Sequence, residues 1–385
     1  MKRAFTTLAI SVPGVALAAT LRAVLLQPAD DARLERTRVE RAYLGHPTGS
    51  AADGLKVALD EARFELDAAG AAVSLEVAPV ADTPEAAREA ARKAAASGAA
   101  VLLTDLSAAA TAAAADAAPK LPVLNVGNAA DALRERDCRA NLWHTLPSER
   151  MRADALAQWL VSRKWSSVLL LAGPGAADAA RTAAAQASLR RYGLKVVATR
   201  PFKLSADPRE RDLANPLLLT GGGLAHDAIW VVDSDGEFAR ALPYRTALPR
   251  PVVGDAGLVA LAWHAQFDRF GAPQVVRRFA KAHGGRAMTA HDWAAWIAGR
   301  ALTAAAVASP KGPWSAASFA PRELDGSKGV ALSFRAWDGQ LRQTMLLTDG
   351  QGVVGSAPVD GLLHPRNMLD TLGADAPEKL CKARP

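Results

Sequence analysis

The stretch Val39-Glu40-Arg41-Ala42-Tyr43-Leu44-Gly45-His46-Pro47-Thr48-Gly49-Ser50, with Leu55, Ala58, Leu59, Ala62 and Leu66 behind it, decides the architecture. Residues 39–44 read as extended and break at the Gly/Pro/Thr/Ser turn. The chain then restarts with five apolar residues on one helical face and Lys56, Asp60 and Glu61 on the others. A strand that feeds such a turn leaves the first backbone N–H groups of the helix unpaired. In an open parallel sheet these turns lie at the carboxyl ends of the strands, where ligands bind. Taken alone, the turn is also what an ordinary βα connection looks like.

Further along, the same rhythm repeats. Strands are expected at 73–80, 100–104, 121–126, 167–172, 195–200, 229–232 and 251–254. Helices are expected between them, at 107–118, 149–163 and 176–192, with later ones at 267–283 and 290–309. Thr83-Pro84-Glu85 marks another helix start, running to about Ser97, with an N-cap, a first-position proline and a first-turn acid. Residues 330–334 and 343–348 read as an antiparallel pair across Asp338-Gly339, and 207–225 as irregular. Alternation of this kind implies parallel sheets covered by helices on both faces, an α/β fold. At 385 residues the chain is long for one core and suits two domains.

The first 18 residues read as an export signal. Lys2 and Arg3 precede an uncharged run from Ala4 to Leu17, and Ala16-Leu17-Ala18 supplies a small-x-small cleavage pattern. The run is shorter than the roughly 20 apolar residues of a membrane span, and no later segment is long enough either. A soluble periplasmic protein cut after Ala18 is expected. Lys2 and Arg3 contribute two of the +7 net charge, and the other basic residues are scattered among acids. With no basic run interleaved with aromatics, nucleic acid is not expected as a partner. The two cysteines, Cys138 and Cys381, are either bridged or two separate thiols; an even count in an oxidising compartment favours the bridge.

Catalytic motifs are missing. There is no GxSxG elbow, no HExxH helix and no phosphate-binding GxxxxGK[ST] loop. Gly173-Pro174-Gly175-Ala176-Ala177-Asp178 mimics a dinucleotide fingerprint, but Asp178 replaces its third glycine. Asp233-Ser234-Asp235-Gly236 lacks the later ligands of a calcium loop, and the seven histidines have no metal-ligand spacing. A binding protein is therefore expected, not an enzyme, with no metal and no catalytic cofactor. Nine tryptophans against three tyrosines are more suggestive. Trp159, Trp165 and Trp230 fall within apolar periodicity and read as core. Trp143, Trp263, Trp293 and Trp296 fall near loop–element junctions; each alone suits packing, and together they suit an aromatic cleft.

In order along the chain, Gly45-His46-Pro47-Thr48-Gly49, Gly54-Leu55-Lys56-Val57-Ala58-Leu59-Asp60-Glu61-Ala62, Trp143-His144-Thr145-Leu146-Pro147-Ser148 and His291-Asp292-Trp293-Ala294 resemble a type I periplasmic solute-binding protein, of the branched-chain amino-acid receptor kind. Gly254-Asp255-Ala256-Gly257-Leu258, the segment Ser333 to Gln343 and the tail Leu363 to Gly373 resemble a subfamily associated with alcohol dehydrogenases dependent on pyrroloquinoline quinone (PQQ). The resemblance implies two hinged lobes, 21–144 with 258–321 and 145–257 with 322–385, closing on a solute for an ABC transporter permease. PQQ is the ligand it implies first. A small alcohol-, aldehyde- or amino-acid-like solute is the alternative, as is a non-transport chaperone or sensor for a periplasmic quinoprotein dehydrogenase. The implied ligand positions are His46, Thr48, Ser50, Asp105, Asn128, Ala129, Gly175, Asp178, Ser234, Asp235, Asp255 and Trp293, with Trp143 and Trp263 added from the aromatic pattern. Two departures weigh against an amino acid: Asp105 stands where the receptors place Ser or Thr, and Ala177 where they place Tyr.

Overall fold

The computed structural model describes residues 19–35, 44–320 and 322–384. The export signal and residues 39–43 of the opening strand lie outside the described residues, and Leu44 sits in a turn. The elements in order are β1 (Ala19–Pro28), α1 (Ala51–Glu61), α2 (Arg63–Ala68), β2 (Ala71–Val80), α3 (Pro84–Ala96), β3 (Val101–Thr104), α4 (Ala108–Ala117), β4 (Val123–Asn125) and β5 (Leu142–His144). Then come α5 (Glu149–Ser162), β6 (Ser167–Ala172), α6 (Ala176–Arg191), β7 (Lys195–Pro201), α7 (Pro216–Thr220), β8 (Ala228–Val232), β9 (Val252–Gly254) and β10 (Val259–Leu261). The last part holds α8 (Ala272–Ala282), α9 (Ala290–Ala308), β11 (Leu324–Asp325), β12 (Ala331–Leu332), β13 (Met345–Thr348) and β14 (Val353–Ala357).

Two parallel sheets result, ordered β2-β1-β3-β4-β5 and β7-β6-β8-β9. Their inner strands are mostly apolar, with β6 and β8 reading Val168 to Leu171 and Ala228 to Val232, because both faces are covered. Along β1 the side chains alternate: Leu21, Ala23 and Leu25 pack with α1 and α9, while Val24 and Leu26 pack with the alanine faces of α3 and α4. In β6, Val168 and Leu170 face one core and Leu169 and Leu171 the other. Small residues let layers approach closely. A Cβ on Gly54 would collide with the Asp292 carbonyl and the Trp296 amide, so α1 can lie on α9 only with glycine there.

A third, antiparallel sheet, β10-β13-β14, joins the lobes. Its central strand serves both cores: Leu346 packs in the first, and Met345 and Leu347 in the second. Beside it two chain crossings run together. Leu341 N donates to His144 O and His144 N to Gly339 O, while Gln343 Nε2 donates to Thr145 O. Arg134 clamps them, donating to Gln340 Oε1 at 2.8 Å and Leu146 O at 2.8 Å. Burial pulls its guanidinium down to about 10, still charged at neutral pH. Cys138 and Cys381 are bridged, and behind that bridge Arg384 donates to Leu142 O and lies 4.0 Å over the Trp143 ring.

Several expectations change. A strand that the sequence reading does not mark, Ala19–Pro28, opens the first sheet. The helix expected from 267 begins at Ala272, after Gly271 takes a left-handed φ of 81°. Asp338-Gly339 does turn the chain, with Phe334 opposite Leu341, but the flanking strands pair elsewhere: β12 with β11, and β13 with β10 and β14. Residues 322–385 do not all fall in the second lobe. Leu324, Leu332, Phe334 and Leu341 pack in the first core, because β11 and β12 lie against α9.

Candidate functional site

Between the lobes lies a cavity of about 320 Å³, walled by the loops and helix starts at the carboxyl ends of the parallel strands. Pro47, Leu146, Pro147, Ala180 and Leu261 give it apolar surface, and Arg33, Arg152, Arg181, His291 and Glu149 give it charge.

On the first-lobe bank, Asp105 is 2% exposed and accepts from Arg33 Nη1 at 3.0 Å, Arg33 Nη2 at 2.9 Å and His291 Nε2 at 2.9 Å. Burial alone would raise its pKa, but His291 and Arg33 outweigh that and hold the carboxyl well below the usual carboxylate range. His291 shifts upward in turn: burial opposes its charge, and the Asp105 carboxylate overcomes burial. Its other ring nitrogen, Nδ1, is buried without a partner. Arg33 is also held by Asp31, at 2.7 Å from Nη2. Gly127 is required beneath, because a Cβ there would strike the Asp105 carboxylate.

On the second bank, Arg181 Nη2 donates to Asp255 Oδ1 at 2.6 Å, and Arg181 Nε lies 3.4 Å from Glu149 Oε2. Arg152 lies 3.2 Å from Glu149 and 4.0 Å from Asp255. Burial dominates at Asp255 and raises its pKa, against Arg181 and Arg152, with Glu149 adding repulsion. At Glu149 the two guanidiniums overcome burial and lower it.

The ligand positions expected from the sequence, the tryptophans aside, fall into four groups, with Asn128 and Ala129 forming the first as cavity-lining residues. The Asn128 side chain itself turns inward, donating to Leu106 O and accepting from Ala130 N. Asp105 and Asp255 lie just behind the wall and hold the cations. His46, Thr48 and Ser50 serve the first turn: His46 Nε2 meets Arg33 O at 2.7 Å, Thr48 accepts from Arg286, and Ser50 caps α1. Gly175, Asp178 and Ser234 form a closed unit in which the buried Asp178 carboxylate accepts from Gly175 N at 3.0 Å and Ser234 N at 2.7 Å. The start of α6 is thus already filled by the chain's own acid, and Asp235 is exposed beside it.

The aromatic cleft is overturned. Trp143, Trp263 and Trp293 are 3%, 1% and 0% exposed, share the first core and do not line the cavity. Trp263 stacks on Trp293 at 6.1 Å, and Trp143 meets Phe334 edge-on. They are packing residues: Ala290 and His291 of the first turn of α9 face the cavity, while Trp293, two positions on, turns into the core against Trp263. The sequence reading misses Arg33, Glu149, Arg152 and Arg181. Three of the four stand in the first two turns of α5 and α6, helices that start at the cleft, and that position is the available signal.

Comparison with known proteins places this geometry. Residues 45–217 match the model of a family described as periplasmic binding protein. No curated protein matches the chain. Among solved structures it resembles an ABC transporter substrate-binding protein from Sphaerobacter thermophilus, at 18% identity and TM-score 0.68, over 88% of this chain and 98% of that one. It also resembles a solute-binding protein from R. palustris in complex with benzoate, at 17% identity and TM-score 0.63, over 88% and 96%. A third, from Rhodopseudomonas palustris BisB5 in complex with 3,4-dihydroxybenzoic acid, has 14% identity and TM-score 0.65, over 85% and 92%. The chain has the two-lobed type I periplasmic binding fold. Among the described residues no helix is long and apolar enough to cross a membrane, and no cluster of three or more His, Cys, Asp or Glu could hold a metal ion.

Proposed function

We propose that this chain is the periplasmic solute-binding component of an ABC importer, and that its cleft takes a small organic acid and hands it to the permease. The observation that carries the reading is the convergence of Arg33, Arg152, Arg181 and His291 on one cavity, where Glu149 is the one acid in the lining and most of the remaining wall is apolar. A carboxylate on a flat or aliphatic body matches that arrangement, since guanidiniums bind carboxylates in a planar, bidentate way. The benzoate and dihydroxybenzoate complexes of two structural neighbours support the same class.

PQQ belongs to this class through its three carboxylates. It loses the two stacked faces that an aromatic cleft would have supplied, since no aromatic side chain lines the cavity among the described residues. Asp105 and Asp255 do not exclude it, because each is matched by a cation. A quinoprotein dehydrogenase as partner rests on the sequence resemblance alone.

Titration calorimetry of the mature protein with benzoate, PQQ and leucine tests the reading. Two or three charge-assisted hydrogen bonds at about 1.5–3 kcal/mol each, against an association cost of at least ~4 kcal/mol, need further help from apolar burial to reach micromolar binding. Saturable binding of an acid that weakens in Arg181→Met is expected. Binding of leucine in preference to both acids would overturn the organic-acid assignment.

A further inference from the structure

A second cavity, of about 580 Å³, is lined in part by β13 and β14 of the joining sheet and shares no lining residue with the cleft. Phe267 and Phe270 wall it from the segment before α8, Gly355 and Ser356 from β14, and Lys328 and Thr344 stand in it. Lys328 is 4% exposed. Its ammonium donates to Gln343 Oε1 at 3.2 Å and Thr344 O at 3.0 Å and sits 3.6 Å over the Trp293 ring. Two carbonyl oxygens and a ring face solvate it, yet no described carboxylate pairs with it. Burial with no acid to offset it pushes this amine well below the usual lysine range. The second observation is independent: Thr344 is 9% exposed, and its Oγ1 is buried with no hydrogen-bond partner. Asp268 is the one acid in the lining; it is exposed at the rim beside exposed Arg269, so the rim is balanced and the floor is not.

We propose that this cavity is a second ligand site, specific for a small oxyanion, carboxylate or phosphate, seated between Lys328 Nζ and Thr344 Oγ1. Burial opposes the charged form of this amine, and an anion beside it supplies the counter-charge that holds it protonated, which neither a cation nor a neutral ligand does. The anion supplies that charge and accepts from the orphan hydroxyl. The site bears on the hinge, because Thr344 leads into β13, the strand whose side chains alternate between the two cores. Occupancy here therefore couples to how the lobes sit on each other.

The test uses the whole mature protein, titrated calorimetrically with inorganic phosphate and, separately, with butyrate; the arm that saturates identifies the oxyanion. Lys328→Met and Thr344→Val should each weaken it, the lysine variant by about tenfold or more. Arg181→Met, which alters the cleft, should leave it unchanged. Thr344→Val keeps the branched shape, so it carries the test if Lys328→Met fails to fold. Failure of both anions to saturate at about 10 mM, weaker than any affinity of use, would overturn the proposal. So would binding that Arg181→Met abolishes while Thr344→Val leaves intact, because the anion would then sit in the cleft.

Discussion

On the first bank of the cleft one buried acid, Asp105, is held by two cations at once, whereas on the second bank two acids, Glu149 and Asp255, divide two guanidiniums between them. Asp105 and Asp255 are almost equally buried, at 2% and 6% exposure, yet one carboxyl is shifted down and the other up. Depth therefore does not set the direction of the shift here; the number of hydrogen-bonded cations per acid does. The first bank is settled before any ligand arrives. The second holds a guanidinium whose acid partner, Asp255, has its carboxyl pushed up by burial, and in the proposed reading an incoming carboxylate competes for that guanidinium.

The largest expected effect separates the two acids by stability. Asp105→Asn strands Arg33 and His291 as buried cations, and breaking such a pair costs about 3–5 kcal/mol. Asp255→Asn removes a carboxyl whose ionised form burial opposes and leaves Arg181 paired with Glu149, so it should cost less than about 2 kcal/mol. Urea unfolding of both variants measures this, and equal losses would break the comparison.

Ligand affinity comes next. Arg181→Met should weaken benzoate binding by about 1.5–3 kcal/mol, roughly 10- to 150-fold in a calorimetric titration. Arg33→Met should instead lower the unfolding midpoint, since Asp31 and Asp105 both lose its guanidinium. The reverse pattern would make the first bank the anion seat.

Smaller still, and sharper, is the pH profile. The folded pKa of Asp105 lies below its unfolded value, so its contribution is present above about pH 3.9 and is lost as pH falls through the folded value. His291 is raised, so its contribution is complete below about pH 6.5 and is lost as pH rises through its folded pKa. Asp255 runs oppositely: ionising a group with a raised pKa costs stability as pH climbs past about 4. Wild type minus Asp105→Asn should therefore show a hump between about pH 4 and 7, and wild type minus Asp255→Asn a steady fall. Two curves of the same sign would refute the electrostatic contrast.

The smallest effect concerns the first turn. Thr48→Ala removes one exposed bond to Arg286, which keeps Asp53 and Asp292. Thermal unfolding should place it within about 0.5 kcal/mol of wild type.

Local signals make most of the fold legible. Thr83-Pro84-Glu85 announces α3, and Thr83 does accept from Ala86 N. Val168 to Leu171 can only be a strand buried on both faces, and β6 is one. What stays hidden has no local signal. β1 follows directly on the apolar run read as an export signal, so no change of period in the sequence marks where that run ends and the strand begins. The joining sheet pairs β10 with β13 across more than eighty residues, which no window along the chain can see. The site is half readable for a related reason. Loop position at strand ends finds Asn128 and Ala129, because their backbone makes the wall. It does not find Arg33 or Arg181, whose guanidiniums act several bonds away from where the sequence places them. The tryptophans fail in the opposite sense: a junction position says where a ring starts, and only the packing of α9 says that Trp293 faces inward.

Asp178 has a further consequence, for what the cleft can come to bind if the proposed function holds. By lying against Gly175 N and Ser234 N it acts as a resident tenant at the end of α6, mimicking the anion that an open helix start would attract. Recognition is thereby left to long, adaptable guanidiniums instead of fixed backbone dipoles. A single substitution of Asp178 by a shorter neutral residue would evict the tenant and vacate a second, rigid anchorage near the cleft. A lineage could then move from one small acid to a longer, doubly charged one without rebuilding either lobe.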